Sequence, residues 1–583
     1  MKSGLLLFFL LFSMQSFGQL PPIFGDIPHH SEKDTRTRVY LSPTKVLWQS
    51  DNTGKYLSGT ENLLKPGNGQ AELVNKDMIS LKSDSIVKPG ILLDFGKELH
   101  GGLQVVTGMM EQNVPVKVRI RFGESASEAM AEIDTLNGAT NDHAIRDFTI
   151  ELPWLGTLDL GNTGFRFVRI DLVDPNTTLL LKEVRAIFIF RDIPYLGSFK
   201  SSDEQLNQIW ATGAYTVHLN MQQYLWDGIK RDRLVWVGDM HPEVMTISAV
   251  FGNNEVVPRS LDLIKDVTPL PAWMNGISSY SMWWIRIQRS WFLYQGDLAY
   301  LQKQQTYLKG LLQQLIGKIK DNKEDLDGMR FMDWPTFENK AAVHAGLQAM
   351  MVMTLQDGAE LSRILGDEEV ARQCDEAVAG LKKVLPDAVN NKQAASLMAL
   401  AGLMPAKQAN TEVISVGGTQ DFSTFYGYYM LQAKALAGDY DGAIANIKTY
   451  WGGMLDMGAT SFWEDFDTRW MQNAARIDEL VPEGKTDIHA SYGAFSYKKL
   501  RHSLSHGWAS GPTSWLTEHV LGVKVMAPGS RVIKIEPHLG ALEFVEGTFP
   551  TPKGVVKIKH RRLPNGKIKT EVKAPRGIKV IRH

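Results

Sequence analysis

Through the first third of the chain, apolar and polar residues alternate with a period of two. GILLDFGKELHGGLQVVTG, VPVKVRIRFGES, RDFTIELP, GFRFVRIDLV and LLLKEVRAIFIF are rich in Val, Ile, Phe and Thr and are separated by Gly, Asn or Pro. Short strands at this spacing predict an antiparallel β-sandwich over residues 19–197, with the aperiodic segment 130–147 as a loop. The period then changes at GSFKSSDEQLNQIWATGAYTV, where Leu206, Ile209 and Trp210 share one helical stripe behind a Ser202/Gln205 capping box. Helical runs follow over 203–222, 296–319, 340–365, 367–384, 392–403, 423–437, 440–453 and 508–520. The pairs Gly296-Asp297, Gly366-Asp367 and Gly438-Asp439 each stand between two such runs, as a glycine that ends one helix and an aspartate that caps the next. Roughly a dozen helices with short turns over 198–521 predict a central (α/α)6 barrel of hairpins whose loops form a cleft at one end. Strands return beyond Gly522, with turn signals at Thr551-Pro552-Lys553-Gly554 and Pro564-Asn565-Gly566, and predict a small C-terminal β-domain over 522–583 packed on the barrel.

Composition narrows the class. The 583 residues carry 63 basic and 64 acidic side chains, a formal net charge of -1, so no basic excess is present to displace counterions from nucleic acid. MKSGLLLFFLLFSMQSFG joins a basic Lys2 to the apolar run 5–12 and small residues at Ser16 and Gly18, the anatomy of a secretory signal peptide over residues 1–18 cleaved before Gln19. That run is too short to span a bilayer, and no cysteine follows it for lipid attachment. The expectation is a secreted or periplasmic protein without membrane insertion. Its single cysteine, Cys374, lies in a helical run as a packing residue, so no internal disulfide is available.

Two stretches combine residues of opposite preference. Trp226–Glu243 reads WDGIKRDRLVWVGDMHPE and sets Asp227, Asp232, Asp239 and Glu243 beside Arg231, Arg233, Trp226 and Trp236. Such a mixture suits neither a core nor a plain solvated face, whereas carboxylates, guanidinium groups and indoles suit a sugar pocket. The bland reading is an ion-paired interdomain loop. The second stretch, WGGMLDMGATSFWEDFDTRW, brings Glu464 after Trp463 in a Gly/Ala/Thr/Ser-rich passage behind a helix. A carboxylate beside aromatics at a helix end is a candidate acid or base, and a surface acidic loop is the alternative. Roughly forty residues between Glu464 and His506 include Lys485, His489, Lys498, Lys499, Arg501 and His502; a solvated surface loop is the default reading, and reading of an acidic sugar or a sulfate follows if these side chains reach the cleft. No His/Cys/carboxylate cluster has ligand spacing, so neither a catalytic metal nor a cofactor is expected.

RDRLVWVGD, preceded by Asp227, and GGMLDMGATSFWEDF resemble the two signature segments of the inverting α-L-rhamnosidases of glycoside hydrolase family 78. DFGKELHGG, RFGES, GFRFVRIDLV, GSFKSSDEQLNQIW, FMDWPTF and LGALEFVEGTFPTPKGVVKIKH extend the resemblance over nearly the whole mature chain. The resemblance implies a rhamnose-containing oligosaccharide or glycoside as partner, Glu464 as general base, and a general acid seven residues before Asp239. That position is Asp232, so this chain carries Asp where the family carries Glu. It further implies that Asp227, Arg231, Trp236, Asp239, Trp283 (or its neighbour Trp284), Trp334 and His506 contact the sugar. An inverting pair of carboxyl groups should stand about 6.5–9.5 Å apart across a shared cavity. Other glycosides on the same scaffold, a polysaccharide lyase and a non-catalytic glycan-binding protein are the competing readings.

Overall fold

A computed structural model describes residues 34–582; the expected signal peptide lies outside the described residues. Nine antiparallel strands between Arg36 and Arg191 build the N-terminal part. Three of them, Gly90–Thr107, Gly156–Leu172 and Thr178–Arg191, are long enough to change partners along their length. The first half of Gly90–Thr107 pairs with Lys45–Gln49, and its second half, beyond register shifts at Asp94/Leu99 and Gly101/Leu103, pairs with Thr178–Arg191. Such shifts bend a strand, and here they fold the sheet over a core of its own that includes Phe95, Phe122, Phe165, Ile170 and Leu181. The segment after the short helix Ala126–Met130 is a loop, as the missing periodicity predicts, until the strand Asp147–Leu152 begins.

Helices follow from Glu204–Asn220 to Gly511–Trp515, and their burial alternates. Ten of the eleven residues of Met240–Val250 are buried, against five of eleven in Val256–Asp266; eight of nine are buried in Lys392–Leu400, against five of fourteen in Glu368–Leu381. A helix apolar on all sides must be enclosed, whereas one with a single apolar stripe faces water, so the alternation describes an inner and an outer ring of helical hairpins. All three Gly-Asp steps do what the spacing predicts. Gly296, Gly366 and Gly438 have φ of 70°, 78° and 83°, and Asp297, Asp367 and Asp439 accept from the backbone N–H of Tyr300, Val370 and Gly442. Cys374 is buried in its helix.

Three helices, Met240–Val250, Val256–Asp266 and Ser278–Gln295, lie outside the eight helical runs marked by the patterning, within the dozen expected there. Met240–Val250 is buried nearly all round and Ser278–Gln295 over most of its surface, which blurs their amphipathic period, and the third carries Pro258 in its first turn, where proline is tolerated. The predicted capping box is also corrected. Asp203, not Ser202, caps Glu204–Asn220 by accepting from Leu206 N–H, while the Ser202 hydroxyl accepts from Glu543 N–H.

The C-terminal strands form two small sheets. Ser198–Ser201, read from sequence as the barrel entrance, is instead the edge strand of one, in register with Phe544–Thr551. Val545, Phe549, Val556 and Ile558 of that sheet share the continuous core of the helices, which gives so small a β-unit the burial it lacks alone.

Candidate active site

The cleft-forming stretch is held open by its own first aspartate. Asp227 accepts from the backbone N–H groups of Asp232 (2.8 Å) and Leu234 (3.0 Å), its N–H donates to Leu234 O, and its carbonyl accepts from Gly507 N–H. This closes residues 227–234 into a compact loop strapped to Ser503–Gly507. Arg231 projects from the loop into the interior. Its Nη2 donates to Glu464 Oε2 at 2.6 Å and to Ser496 O, its Nη1 lies 3.1 Å from Asp232 Oδ1, and its Nε donates to Arg501 O. Asp232 Oδ2 accepts from the indole of Trp236 at 3.2 Å.

Glu464 is anchored from the other side. Its N–H donates to Ser503 O, Ser503 N–H returns a bond to Oε2 at 3.2 Å, and its carbonyl accepts from Trp508 Nε1 and the Thr424 hydroxyl. Asp239 sits at the N-terminus of Met240–Val250 but makes no side-chain cap; its Oδ1 accepts from Tyr280 OH at 2.7 Å instead. His506 occupies the centre. Its Nε2 is 3.7 Å from Asp227 Oδ2, 3.9 Å from Glu464 Oε1 and 4.0 Å from Asp239 Oδ2, all beyond hydrogen-bond length.

Burial dominates the electrostatics. It raises Asp227 to about 7 and Asp239 well above the usual carboxylate range, and each carboxylate's negative neighbours add to the effect. Burial also raises Glu464, with the Arg231 cation pulling the other way. His506 is pushed well below its ordinary value by burial and by Arg231, so it is a neutral imidazole at pH 7.

These groups enclose a cavity of about 240 Å³ lined by Asp227, Arg231, Asp232, Trp236, Asp239 and Glu464, with Tyr280, Met329, Phe331, Trp334, His506 and Trp508 supplying most of its apolar wall. Apolar faces with a few convergent polar groups are the anatomy of a small-molecule site, and the volume is below the usual ~300–1,000 Å³. It fits one sugar-sized ring.

Residues 194–413 match the family model for the bacterial alpha-L-rhamnosidase 6 hairpin glycosidase domain. That stretch of the helical part is therefore similar to the rhamnosidase six-hairpin domain. An alpha-L-rhamnosidase of Alteromonas sp. (strain LOR) is 25% identical over 543 residues, covering 83% of this chain and 55% of that relative. This chain thus spans little more than half of the curated relative. Among solved structures, the GH78 family rhamnosidase of Bacillus sp. GL1 superposes with a TM-score of 0.71 at 21% identity, over 90% of this chain and 55% of the other. A rhamnosidase from Klebsiella oxytoca with rhamnose bound gives 0.62 at 17%, over 83% and 96%.

Of the residues that the rhamnosidase resemblance singles out, Asp227, Arg231, Asp232, Trp236, Asp239, Trp334, Glu464 and His506 meet on this cavity. Trp283 does not. It is 1% exposed and stacks between His241 (5.0 Å) and Tyr429 (4.9 Å) in the aromatic core, because its helix turns it away from the cleft. Trp284 is wholly buried too, and donates to Leu261 O on an outer helix. The same helix offers Tyr280 to the cavity instead, one turn earlier. Tyr280, Phe331 and Trp508 escape sequence reasoning, although Trp508 stands two residues beyond His506 and Phe331 three before Trp334, whereas Arg501 of the charged loop does reach the cavity.

Proposed function

We propose that the protein is an exported glycoside hydrolase, an inverting α-L-rhamnosidase that removes terminal rhamnose from plant or algal glycans or glycosides. One observation carries this reading: Asp232 and Glu464 line the same ring-sized cavity, each tied to a different nitrogen of the Arg231 guanidinium. In the proposed reaction Asp232 gives its proton to the leaving oxygen as the glycosidic bond breaks. A water attacks the anomeric carbon from the opposite face and loses its proton to Glu464. Glu464 Oε2 is engaged by Arg231 and Ser503, which leaves Oε1 for that water. The Arg231 cation favours the ionised base, while the indoles of Trp236 and Trp508 offer apolar faces to the ring. Asp227, Asp239 and neutral His506 can receive and donate to its hydroxyls. The names of the Alteromonas and Klebsiella relatives support rhamnose as that sugar. Export rests on the N-terminal leader, and N-terminal sequencing of protein recovered outside the cytoplasm checks it.

The decisive assay is nitrophenol release from an aryl α-L-rhamnoside by wild type, Asp232→Asn and Glu464→Gln, with the first-formed anomer followed by proton NMR. Turnover that falls by orders of magnitude in both variants, with inverted product, is expected. A second reading, glycan binding without turnover, is favoured by Asp232 itself, one methylene shorter than the glutamate that the resemblance places at that position. Rhamnose binding by wild type with no hydrolysis of any rhamnoside would select it.

A further inference from the structure

The near-neutral total charge conceals an asymmetry. Residues 551–583 hold eleven basic side chains and one acidic, whereas the other 550 residues hold 52 and 63. The fold gathers part of this excess on one face of the sheet formed by Ser198–Ser201, Phe544–Thr551, Gly554–Arg562 and Ile568–Lys573. Along Gly554–Arg562, Val556, Ile558 and His560 turn to the core, so Lys557, Lys559 and Arg561 are exposed. Lys200, Glu546, Lys559 and Glu571 form one row across that outer face, with Arg561 opposite Lys569 and Lys557 opposite Lys573 on either side of it. Glu546 pairs with Lys559 at 2.9 Å and Glu571 with Lys569 at 2.8 Å. Among the described residues, Lys200, Lys557, Arg561 and Lys573 make no ion pair.

Two features set this face apart from an ordinary solvated surface. Like charges directly opposite on neighbouring strands are destabilising, and the face carries two such pairs. Lysines on an edge strand serve to discourage pairing with another sheet, but Lys557, Lys559 and Arg561 lie on an interior strand already paired on both sides. A repeating polyanion laid on the face relieves the repulsion and releases its own condensed counterions. The face also holds a groove of about 200 Å³ whose lining includes Phe544, Glu546, Lys559, Arg561, Lys569 and Glu571. No exposed large apolar side chain belongs to it, so it lacks the wedge with which a protein docks stably on a bilayer.

We propose that the outer face of this sheet is a docking surface for an anionic polysaccharide, a chain repeating carboxylate or sulfate groups, held by Lys557, Arg561, Lys569 and Lys573. The choice of a polysaccharide among polyanions rests on the reading of the protein as an exported enzyme acting on glycans. Because the sheet shares its core with the helices, a polymer bound there is held on the body that carries the cleft.

Fluorescence anisotropy of fluorescein-labelled polygalacturonate, dextran sulfate and uncharged dextran tests this with the full chain. Wild type should bind polygalacturonate or dextran sulfate but not dextran, and about tenfold or more weakly at roughly 200 mM salt than at roughly 50 mM. The combined variant Lys557→Gln, Arg561→Gln, Lys569→Gln and Lys573→Gln should lose about tenfold or more in affinity at the lower salt. Its urea midpoint and its nitrophenol release should stay at the wild-type level. A control with the same charge change elsewhere, at exposed Lys76, Lys303, Lys320 and Lys382, should bind as wild type does. Binding of neither charged polymer, equal losses in the two variants, or tighter capture by phosphatidylglycerol vesicles would overturn the proposal and leave the rhamnosidase reading intact. Polymer binding without turnover of any rhamnoside would instead overturn the hydrolase reading and leave the docking surface standing.

Discussion

Asp232 is one methylene shorter than the glutamate its position leads one to expect, and its surroundings are built to that length. Both carboxyl oxygens already have partners, Trp236 on one and Arg231 on the other. An added methylene breaks these contacts and displaces the carboxyl by about 1 Å, a shift that can cost on the order of a hundredfold. Asp232→Glu should therefore lower kcat on a poor leaving group by roughly ten- to a hundredfold, read in steady-state assays beside wild type. Arg231→Ala removes the cation shared by two carboxylates and leaves Glu464, 6% exposed, without it. Breaking a buried pair costs about 3–5 kcal/mol, so urea unfolding should show that loss together with near-complete loss of activity. The pH profile follows from Glu464. A base must be ionised, and burial raises the pH at which this one ionises, so activity should fall as pH drops through a value above the ordinary glutamate 4.5. An acid limb of kcat/KM below that value would contradict the assignment.

Among the elements, the inner-ring helices carry the consequence of enclosure. A helix buried over most of its surface has only a narrow polar face, and Ser278–Gln295, half-buried along Arg286, Arg289, Ser290 and Leu293 and buried elsewhere until its last turn, gives a faint period to read, although it bears Tyr280 on the cavity and Trp283 in the core. Which of its aromatics meets the cavity is a matter of rotation about an axis that only packing sets. The outer helices are the opposite case, because their caps and stripes are local. Asp367 capping Glu368–Leu381 through Val370 N–H was legible from a two-residue step, and its worth is local too. Asp367→Ala should cost about 1 kcal/mol, measured by the shift in urea midpoint, with kcat unchanged because the cap stands on an outer helix.

Across the whole molecule, the sandwich and the barrel meet through buried charge directly behind the site. Lys230 Nζ donates to His502 O (2.7 Å) and Leu500 O, and lies 3.0 Å from Glu124 and 3.3 Å from Glu128 of the N-terminal part. Its neighbour in sequence is Arg231, so the same loop that presents the guanidinium to the cavity is clamped to the other domain. Burial pushes Glu124 up to about 7 against the pull of Lys230. A carboxyl raised in the fold favours folding most below its unfolded value, near 4.5, and that contribution is lost as pH rises through about 7. Glu124→Gln, which has no proton to lose, should thus gain stability relative to wild type between pH 5 and pH 8, seen in paired urea melts. A difference that stays constant or reverses would mean Glu124 is ionised throughout.

What the chain determines by itself is whatever depends on neighbours in sequence. The change of period from two to 3.6 and back, the Gly-Asp steps between helices and the hairpin turns are readable because hydrogen bonding and steric preference act over a few residues. The 227–239 loop and Glu464 were also legible, since charged and indole side chains crowded together have no place in an ordinary core or surface. Only the tertiary structure decided that Ser198–Ser201 joins the C-terminal sheet, that Tyr280 rather than Trp283 faces the cavity, and that Lys230 meets Glu124 and Glu128 of another domain. Each of these depends on contacts between segments tens to hundreds of residues apart, and the free energy that selects them is burial of shared surface, which leaves no mark on local pattern.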